Sequence, residues 1–303
     1  MKPDQDYFKT APLKDVIGIA WEARMKDRPR VLETVYPVKT MAVSVTGNAC
    51  SLNCSHCGGR YLGHMVNLKD LPCALRSKLP DSILLSGGCG PDGAVPLVSS
   101  LDRVSSILKS YGQEVKVNAH PGVVNDEDAR AISEFASVIS FDFVLDDEAI
   151  REAFHGRWTG TDYVRAFRSL RKGKAKVVPH VLLGLMKGKI SKEYDAVEFL
   201  LGENVREIIF IVFIPTPGTI WENIPPPDIG DVVRVLAWTR AKAPGLSISL
   251  GCMRPKGRYR QELDILAVRA GIDRIVLPHP EVVDAARSLG LEIEKKTECC
   301  AFD

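Results

Sequence analysis

The sequence predicts a parallel α/β fold of the (β/α)8 TIM-barrel type. Short apolar, β-branched runs alternate with helical stretches along the chain, and this alternation is typical of a parallel sheet covered by helices. Eight such units fit within about 250 residues, the usual length of a TIM barrel. The run from Ile208 to Phe213 is apolar throughout, as expected of a strand buried on both faces. An open, partial barrel made of the same units is the alternative.

Each element follows from this alternation. The strands are predicted near residues 42–47, 82–86, 114–118, 138–144, 177–183, 206–213, 246–250 and 273–277. The helices are predicted near residues 97–109, 126–135, 161–172, 191–201, 230–241 and 261–270. The predicted domains are a helical N-terminal extension (1–40), in which Pro12 precedes a helix start, the barrel (41–280), and a C-terminal segment (281–303) that carries Cys299 and Cys300.

Composition limits the classes of function. The chain has 303 residues, of which 45% are hydrophobic and 26% charged, as in an ordinary soluble globular protein. A net charge of +2 gives no reason to expect nucleic acid as a partner. The sequence shows no signal-peptide pattern and no apolar run long enough to span a membrane, so a cytoplasmic location is expected. Eight cysteines in such a chain indicate metal chemistry in a reducing compartment.

The most informative motif is a group of three cysteines. Cys50, Cys54 and Cys57 have the spacing C-x3-C-x2-C directly after the first predicted strand. Three thiolates so close together form a site for a soft metal. Zinc usually takes four ligands in two separated pairs, whereas three ligands suit a [4Fe–4S] cluster with one open iron that can hold a substrate or cofactor. A structural zinc loop or buried free thiols are the alternatives.

Further candidate residues follow other predicted strands, where the active site of a parallel barrel lies. They are Ser86, Gly87, Gly88 and Cys89 after the second strand, Asn118 and His120 at the end of the third, Asp142 in the fourth, Gly184 after the fifth and Cys252 after the seventh. The two adjacent glycines allow a backbone to approach a ligand closely. The amide of Asn118 and the carboxylate of Asp142 are suited to hydrogen bonds with a ligand.

The remaining cysteines predict a second metal centre. Cys299 and Cys300 are adjacent and close to a chain terminus, which is a poor position for core residues. Together with Cys89 and Cys252 they supply four thiols, the usual ligand number of an iron–sulfur cluster. Cys73 is expected to be incidental. The alternative is a redox-active or free pair at the tail, with Cys89 and Cys252 as small apolar residues.

The cysteine spacing resembles that of the radical S-adenosylmethionine (SAM) superfamily. The resemblance implies that the open iron of a [4Fe–4S] cluster chelates the amino and carboxylate groups of SAM. It also implies that His56 packs on adenine, that the backbone of Ser86-Gly87-Gly88 contacts the SAM amino group, that Asn118 and Asp142 hold the ribose or carboxylate, and that the loop from Gly184 cradles adenine. Cys89 departs from the pattern, because an acidic residue usually stands there.

A nearer resemblance is to biotin synthase and lipoyl synthase. Pro217-Gly218-Thr219, Gly251-Cys252-Met253-Arg254 and residues 270–276 look similar to biotin synthase, in which an arginine is a ligand of the auxiliary cluster. Cys252 or Arg254 would take that place here. Biotin synthase lacks the Cys-Cys tail. The segments Ser86–Cys89, Gly251–Pro255 and Glu298–Cys300 resemble one component of the two-protein, archaeal-type lipoyl synthase.

This resemblance implies a reaction and its partners. A 5′-deoxyadenosyl radical would abstract hydrogen from an octanoyl chain on a lipoyl carrier protein, and a second [4Fe–4S] cluster would donate sulfur. The implied partners are the octanoylated lipoyl carrier protein, a second radical SAM component, and an electron donor such as ferredoxin or flavodoxin. Two alternatives stay open: another radical SAM reaction, such as metal-centre maturation, rearrangement or methyl transfer, and a non-catalytic iron–sulfur protein.

Overall fold

The computed structural model describes residues 4–302. Contacts divide the chain into two compact units. The first unit comprises residues 4–36, Pro179–Pro215 and Asn223–Lys296, and the second comprises Pro37–Val178, Thr216–Glu222 and residues 297–302. Residues 1–3 of the predicted N-terminal extension and residue 303 of the predicted C-terminal segment lie outside the described residues.

The described residues form eleven α-helices and eleven β-strands. The helices are α1 (Gln5–Thr10), α2 (Leu13–Asp27), α3 (Leu71–Lys78), α4 (Leu101–Tyr111), α5 (Asp126–Phe135), α6 (Asp147–Phe154), α7 (Gly160–Leu170), α8 (Glu193–Gly202), α9 (Ile229–Lys242), α10 (Arg258–Arg269) and α11 (Glu281–Ser288). The strands are β1 (Val31–Val35), β2 (Thr40–Ser44), β3 (Val66–Asn67), β4 (Ser82–Ser86), β5 (Lys116–Ala119), β6 (Val138–Asp142), β7 (Lys176–Leu183), β8 (Glu207–Val212), β9 (Ser247–Leu250), β10 (Arg274–Val276) and β11 (Glu292–Lys296).

The first unit holds a parallel sheet and the N-terminal helices. Its strands have the hydrogen-bonded order β11-β1-β10-β9-β8-β7, and β1 pairs in parallel with both β10 and β11. Helix α2 begins after Pro12 and packs on α9. Arg234 of α9 donates hydrogen bonds to the carbonyls of Phe8 and Ala11 at 2.9 and 2.7 Å. The N-terminal helices therefore belong to the packed body of this unit.

The second unit holds the strand order β6-β5-β4-β2-β3. Successive side chains of its strands point to opposite faces of the sheet. One face carries fully buried apolar side chains such as Ile83, Leu85 and Ile139, and the other carries polar ones such as Ser86 and Asn118. The division between the two units falls within β7.

The eight predicted strands are all present, as β2 and β4–β10. The six predicted helices correspond to α4, α5 and α7–α10. Residues 1–40 contain the expected helices but also β1, which the sequence analysis missed. Strands β3 and β11 were also missed: β3 has two residues, and β11 has the charged, largely exposed sequence Glu-Ile-Glu-Lys-Lys. Among the described residues, no helix is long and apolar enough to cross a membrane.

Candidate active site

The three cysteines lie in one loop beyond the carboxyl end of β2, in the second unit. The backbone N–H groups of Cys57 and Gly58 both donate to the carbonyl of Cys54, at 3.2 and 2.8 Å, which closes a tight turn. Gly58 and Gly59 have φ angles of 51° and 70°, a left-handed conformation that glycine adopts without steric cost. We call residues 50–61 the cysteine loop.

Two thiols of this loop share a proton. Cys54 is buried, and its thiol donates a hydrogen bond to the sulfur of Cys57. This bond lowers the pKa of Cys57 to about 4, against the opposing effect of burial and with a further contribution from His56. The same bond and burial raise the pKa of Cys54. The pair therefore favours a thiolate at Cys57, and a thiolate is the form that binds metal.

The glycine pair after β4 packs against the start of the cysteine loop. The N–H of Gly88 donates to Thr46 Oγ1 at 2.7 Å. A β-carbon at Gly88 would lie 2.0 Å from the Ala49 carbonyl oxygen and 2.7 Å from the α-carbon of Cys50. The N–H of Ser51 donates to the Cys89 carbonyl at 2.9 Å. The missing side chain at Gly88 is therefore required by the cysteine loop itself.

Cys89 adds a fourth thiol near this loop. Burial raises its pKa to about 12, and the charges of Cys50, Cys57 and Asp142 act in the same direction. Cys89 therefore lies within electrostatic range of the cysteine loop and stays protonated at neutral pH.

Helix α6 holds the middle of the cysteine loop. Ser55 is buried; its N–H donates to the Ala153 carbonyl and its hydroxyl to the Glu152 carbonyl, both at 2.8 Å. The ring Nε2 of His155 lies 3.1 Å from the same hydroxyl. The sequence analysis did not assign these contacts, and the only signal for them is a small polar residue between two cysteines.

His56 also faces α6. Its ring makes an edge-on contact with the ring of Phe154, at 5.5 Å between centroids. The structure shows the contact of the His56 ring with Phe154. The packing of His56 on adenine stays a prediction.

The polar face of the second unit brings together three predicted residues. The Ser86 hydroxyl donates to the His120 carbonyl at 3.2 Å, and His120 Nε2 lies 3.3 Å from Asp142 Oδ2. Burial lowers the pKa of His120, but the charge and hydrogen bond of Asp142, with a smaller effect of Cys299, raise it above its ordinary value overall. His120 and Asp142 therefore form an ion pair whose side chains are one third and two fifths exposed.

Asn118 lies deeper on the same face. It is fully buried, its amide donates to Ser140 Oγ at 2.9 Å, and its carbonyl accepts from the Ser140 N–H at 3.0 Å. These bonds connect β5 to β6, so the amide of Asn118 already has partners within the sheet.

The C-terminal tail enters at the opposite end of the strands. The N–H of Cys299 donates to the hydroxyl of Thr40, the first residue of β2, at 2.7 Å. Asn118 donates to the Cys299 sulfur at 3.6 Å, and Glu298 forms an ion pair with Lys116, the first residue of β5. Cys300 is buried. Cys89 follows the carboxyl end of β4, whereas the N–H of Cys299 is bonded at the amino end of β2, and a metal centre shared by Cys89 and the tail cysteines stays a prediction.

Arg254, in the first unit, does not have the ligand role considered from the sequence. It is fully buried and donates to both carboxylate oxygens of Asp264, at 2.7 and 2.9 Å. Its other bonds go to the carbonyls of Gly251, Val276 and Leu277. These bonds use the five N–H groups of a guanidinium, so none is left for a metal cluster.

The other first-unit candidates have local surroundings of their own. Gly184 has a φ of 80°, and a β-carbon there would lie 2.8 Å from the Pro227 ring, so the turn packs tightly on the proline loop. Its N–H donates to Glu193 Oε1 at 2.8 Å. Cys252 is exposed. In the second unit, Cys73 is also exposed, near the start of α3.

The donor set of the cysteine loop fits an iron–sulfur cluster. Its three thiols are soft ligands, and the pKa of one of them, Cys57, is lowered. Among residues 4–302, no three His, Cys, Asp or Glu side chains are arranged to hold a single metal ion.

Comparisons with known proteins give the fold. No protein-family model matches the chain, and no curated protein matches it. Among solved structures, methylornithine synthase (PylB) is similar with a TM-score of 0.69 and 13% identity, over 97% of this chain and 95% of that one. The maturase HydG of the FeFe-hydrogenase from Carboxydothermus hydrogenoformans has a TM-score of 0.69 and 15% identity, over 96% of this chain and 74% of that one.

A third similar structure contains a ligand. Streptococcus suis SuiB bound to S-adenosylmethionine has a TM-score of 0.51 and 13% identity, over 80% of this chain and 58% of that one. At these identities the similarity concerns the fold. It confirms the fold class predicted from the sequence: this chain has a parallel α/β, TIM-barrel-type fold.

Proposed function

We propose that this chain is a radical SAM enzyme whose cysteine loop binds a [4Fe–4S] cluster. The observation that carries the proposal is the placement of Cys50, Cys54 and Cys57 in one tight loop beyond the carboxyl end of β2, closed by bonds to the Cys54 carbonyl. When bound, such a cluster supplies the electron for reductive cleavage of SAM to methionine and a 5′-deoxyadenosyl radical.

The residues of the loop prepare it for this group. Cys57 is deprotonated at neutral pH and offers the first ligand. Cys54 must release its proton when it binds iron, so loading is expected to release protons. Ser55 fixes the loop between these two thiols on the carboxyl end of α6.

The polar face beside the loop suits a charged cofactor. Asp142 presents a carboxylate that attracts the cationic SAM molecule, and His120 holds that carboxylate in place. Ser86 in turn hydrogen-bonds the backbone of His120. We therefore expect Asp142 and Ser86 to contact SAM, and Asn118 to support the sheet beneath them.

Anaerobic reconstitution tests the proposal. The wild type is expected to bind about four irons in the cysteine loop and, with dithionite and SAM, to release 5′-deoxyadenosine. The Cys50/Cys54/Cys57→Ala triple variant is expected to lose this activity. Substitution of the exposed Cys73 by Ala is the matched control and should change neither result. SAM cleavage by the triple variant would contradict the proposal.

The reaction that we propose first is sulfur insertion into the octanoyl chain of a lipoyl carrier protein. Its support is the resemblance of Ser86–Cys89, Gly251–Pro255 and Glu298–Cys300 to a lipoyl synthase component. The proposed partners are the octanoylated carrier, a second radical SAM component and a ferredoxin or flavodoxin. Mass spectrometry of an octanoylated carrier peptide, incubated with and without the second component, would detect insertion.

A second candidate is a radical SAM reaction that needs no sulfur-donating cluster. It is supported by the similarity of the fold to methylornithine synthase and to the FeFe-hydrogenase maturase HydG. Iron analysis separates the two candidates. About eight irons per chain, equal to two four-iron clusters, with sulfide lost during turnover would support sulfur insertion. About four irons would support the second candidate.

A further inference from the structure

A short segment after β8 lies along the cysteine loop. Thr216–Glu222, which we call the strap, belongs to the second unit, although the residues on both sides of it belong to the first. The N–H of Trp221 donates to the Ser55 carbonyl at 2.9 Å. Arg60 donates to the Gly218 carbonyl at 3.0 Å, and the Tyr61 hydroxyl lies 2.8 Å from Thr216 Oγ1.

These contacts run in antiparallel order. Successive residues of the cysteine loop from Ser55 to Tyr61 meet successively earlier residues of the strap, from Trp221 back to Thr216. Between these ends, a β-carbon at Gly58 would lie 3.4 Å from the methyl group of Thr219. The strap therefore covers the part of the loop that contains Cys57.

Hydrogen bonds within the strap hold it in a tight turn that lies close to the cysteine loop. The Thr219 hydroxyl donates to the Thr216 carbonyl at 2.7 Å, and Glu222 accepts from the Gly218 N–H at 2.6 Å. Gly218 has a φ of 73°, and a β-carbon there would lie 1.9 Å from Arg60 Nη2. The buried Trp221 anchors the end of the segment. A side chain at position 218 would strain this left-handed turn and displace the arginine from its carbonyl partner.

We infer that the strap holds the cysteine loop closed around Cys57, and that Arg60 and Tyr61 are positioning residues for this cysteine. Neither side chain supplies a ligand, and both act by fixing residues 55–61 on the strap. The strap limits access to the Cys57 sulfur in the metal-free protein. Its effect on cluster retention rests on the proposed function.

The test compares a strap variant with a matched control. Arg60→Gln/Tyr61→Phe removes the two side-chain bonds to the strap. The control, Arg76→Gln/Tyr111→Phe, changes an exposed arginine of α3 and a tyrosine of α4 whose hydroxyl has no hydrogen-bond partner among residues 4–302. Alkylation of Cys57 by iodoacetamide in metal-free protein, followed by mass spectrometry, is expected to be about fivefold to tenfold faster in the strap variant and unchanged in the control.

Iron release to a chelator is the second readout. Reconstituted strap variant is expected to lose iron about fivefold faster than wild type. Unchanged Cys57 alkylation in the strap variant would overturn the inference whether or not a cluster binds. Faster alkylation in a protein that binds no iron would support the strap and overturn the proposed function.

A substitution in the strap itself keeps the inference testable if the Arg60→Gln/Tyr61→Phe variant does not fold. Thr216→Val removes the hydroxyl that meets Tyr61 and leaves the cysteine loop unaltered in sequence. Its far-UV circular dichroism is expected to match wild type, with faster Cys57 alkylation. Wild-type alkylation in a folded Thr216→Val variant would count against the role of Tyr61.

Discussion

The two units use buried polar groups in opposite ways. In the first unit, Arg254 and Asp264 are fully buried and joined by two hydrogen bonds, and Arg254 gives its remaining N–H groups to backbone carbonyls. Arg240 is likewise buried and bonded to Asp273 and to the Gly271 carbonyl. Such charges have no capacity left for a ligand, so their role is structural.

In the second unit, the polar groups near the cysteine loop still carry protons or exposed atoms. Cys54 and Cys57 divide one proton between them, and Cys89 keeps its own. His120 and Asp142 are paired but partly exposed. The comparison teaches that the buried charges of the first unit are paired within the protein, whereas the candidate site of the second unit has protonated or partly exposed groups that could still bind a ligand.

The largest expected effect comes from breaking the saturated pair. Asp264→Asn leaves the Arg254 guanidinium buried without its counter-charge, which typically lowers the free energy of unfolding by about 3–5 kcal/mol. Urea unfolding measures this loss. Glu134→Gln, which removes the partner of the exposed Lys174, is the control and should leave the midpoint unchanged.

A double variant sharpens this prediction. Arg254→Met/Asp264→Leu removes both charges, which is often neutral or stabilising for a buried pair, but it also leaves the carbonyls that Arg254 bonds without their donor. We therefore expect a midpoint between those of Asp264→Asn and the wild type. A loss equal to that of Asp264→Asn alone would mean that the uncompensated charge is not what destabilises the single variant.

The next effect concerns the packing of β4 on the cysteine loop. Gly88→Ala places a methyl group 2.0 Å from the Ala49 carbonyl oxygen, and overpacking of this kind costs about 1–3 kcal/mol. Gly63→Ala is the matched control, because no heavy atom lies within 4 Å of its β-carbon position. Urea unfolding is expected to give a lower free energy of unfolding for Gly88→Ala than for Gly63→Ala. Equal values would mean that the cysteine loop shifts to accommodate the methyl group at no cost.

The third effect tests the shared proton of the thiols. Because the pKa of Cys57 is about 4, its alkylation rate in metal-free protein should be level from about pH 6 upward. An ordinary thiol, with a pKa near 8.5, would instead become about ten times faster per pH unit over the same range.

Cys54→Ala removes the hydrogen bond that stabilises the Cys57 thiolate. Since bonds to charged groups contribute about 1.5–3 kcal/mol, the pKa of Cys57 should rise by about one to two. Cys54→Ser keeps a donor and should retain part of the effect. The readout is the pH at the midpoint of the Cys57 alkylation rate, and a midpoint that stays at about pH 4 in Cys54→Ala would contradict the effect of Cys54 on Cys57.

The smallest effect concerns the exposed ion pair. The pKa of His120 lies above its ordinary value because of Asp142, so the pair stabilises the fold below about pH 6.5. That stabilisation is lost as the pH rises through the folded-state pKa of His120. Asp142→Asn should lower this pKa, as measured by NMR of the imidazole, and reduce stability at pH 6 by less than about 1 kcal/mol because solvent screens the pair.

A control for this measurement is Asp102→Asn, on the exposed start of α4. It should leave the titration of His120 unchanged. If Asp142→Asn also left it unchanged, the ion pair would not exist in solution.

The features that depend on neighbouring residues could be predicted from the sequence, whereas contacts between residues far apart in the chain could not. The strands were predictable because their apolar runs are continuous, as in β8, whereas β11 is charged and largely exposed. The cysteine loop was predictable from spacing alone. Its support was not, because Ser55 meets Glu152 across 97 positions and Arg60 meets Gly218 across 158. A serine or arginine in a sequence gives no sign of which carbonyl it will reach.

The tail shows a second limit. Four cysteines in a sequence predict a shared site by their number, but their positions depend on which end of a strand each follows. Cys89 follows the end of β4, whereas Cys299 is bonded to the first residue of β2. Chain order alone does not reveal that a C-terminal tail returns to the amino end of the sheet.

The strap also sets an order of events during protein synthesis. Arg60 leaves the ribosome 158 residues before Gly218, which at about 5–20 residues per second is an interval of about 8–30 seconds. During this time the nascent cysteine loop exists without the segment that covers it. Iron delivered in that interval would meet an uncovered loop, so we expect the proposed cluster to be held durably only after residue 222 has been synthesised.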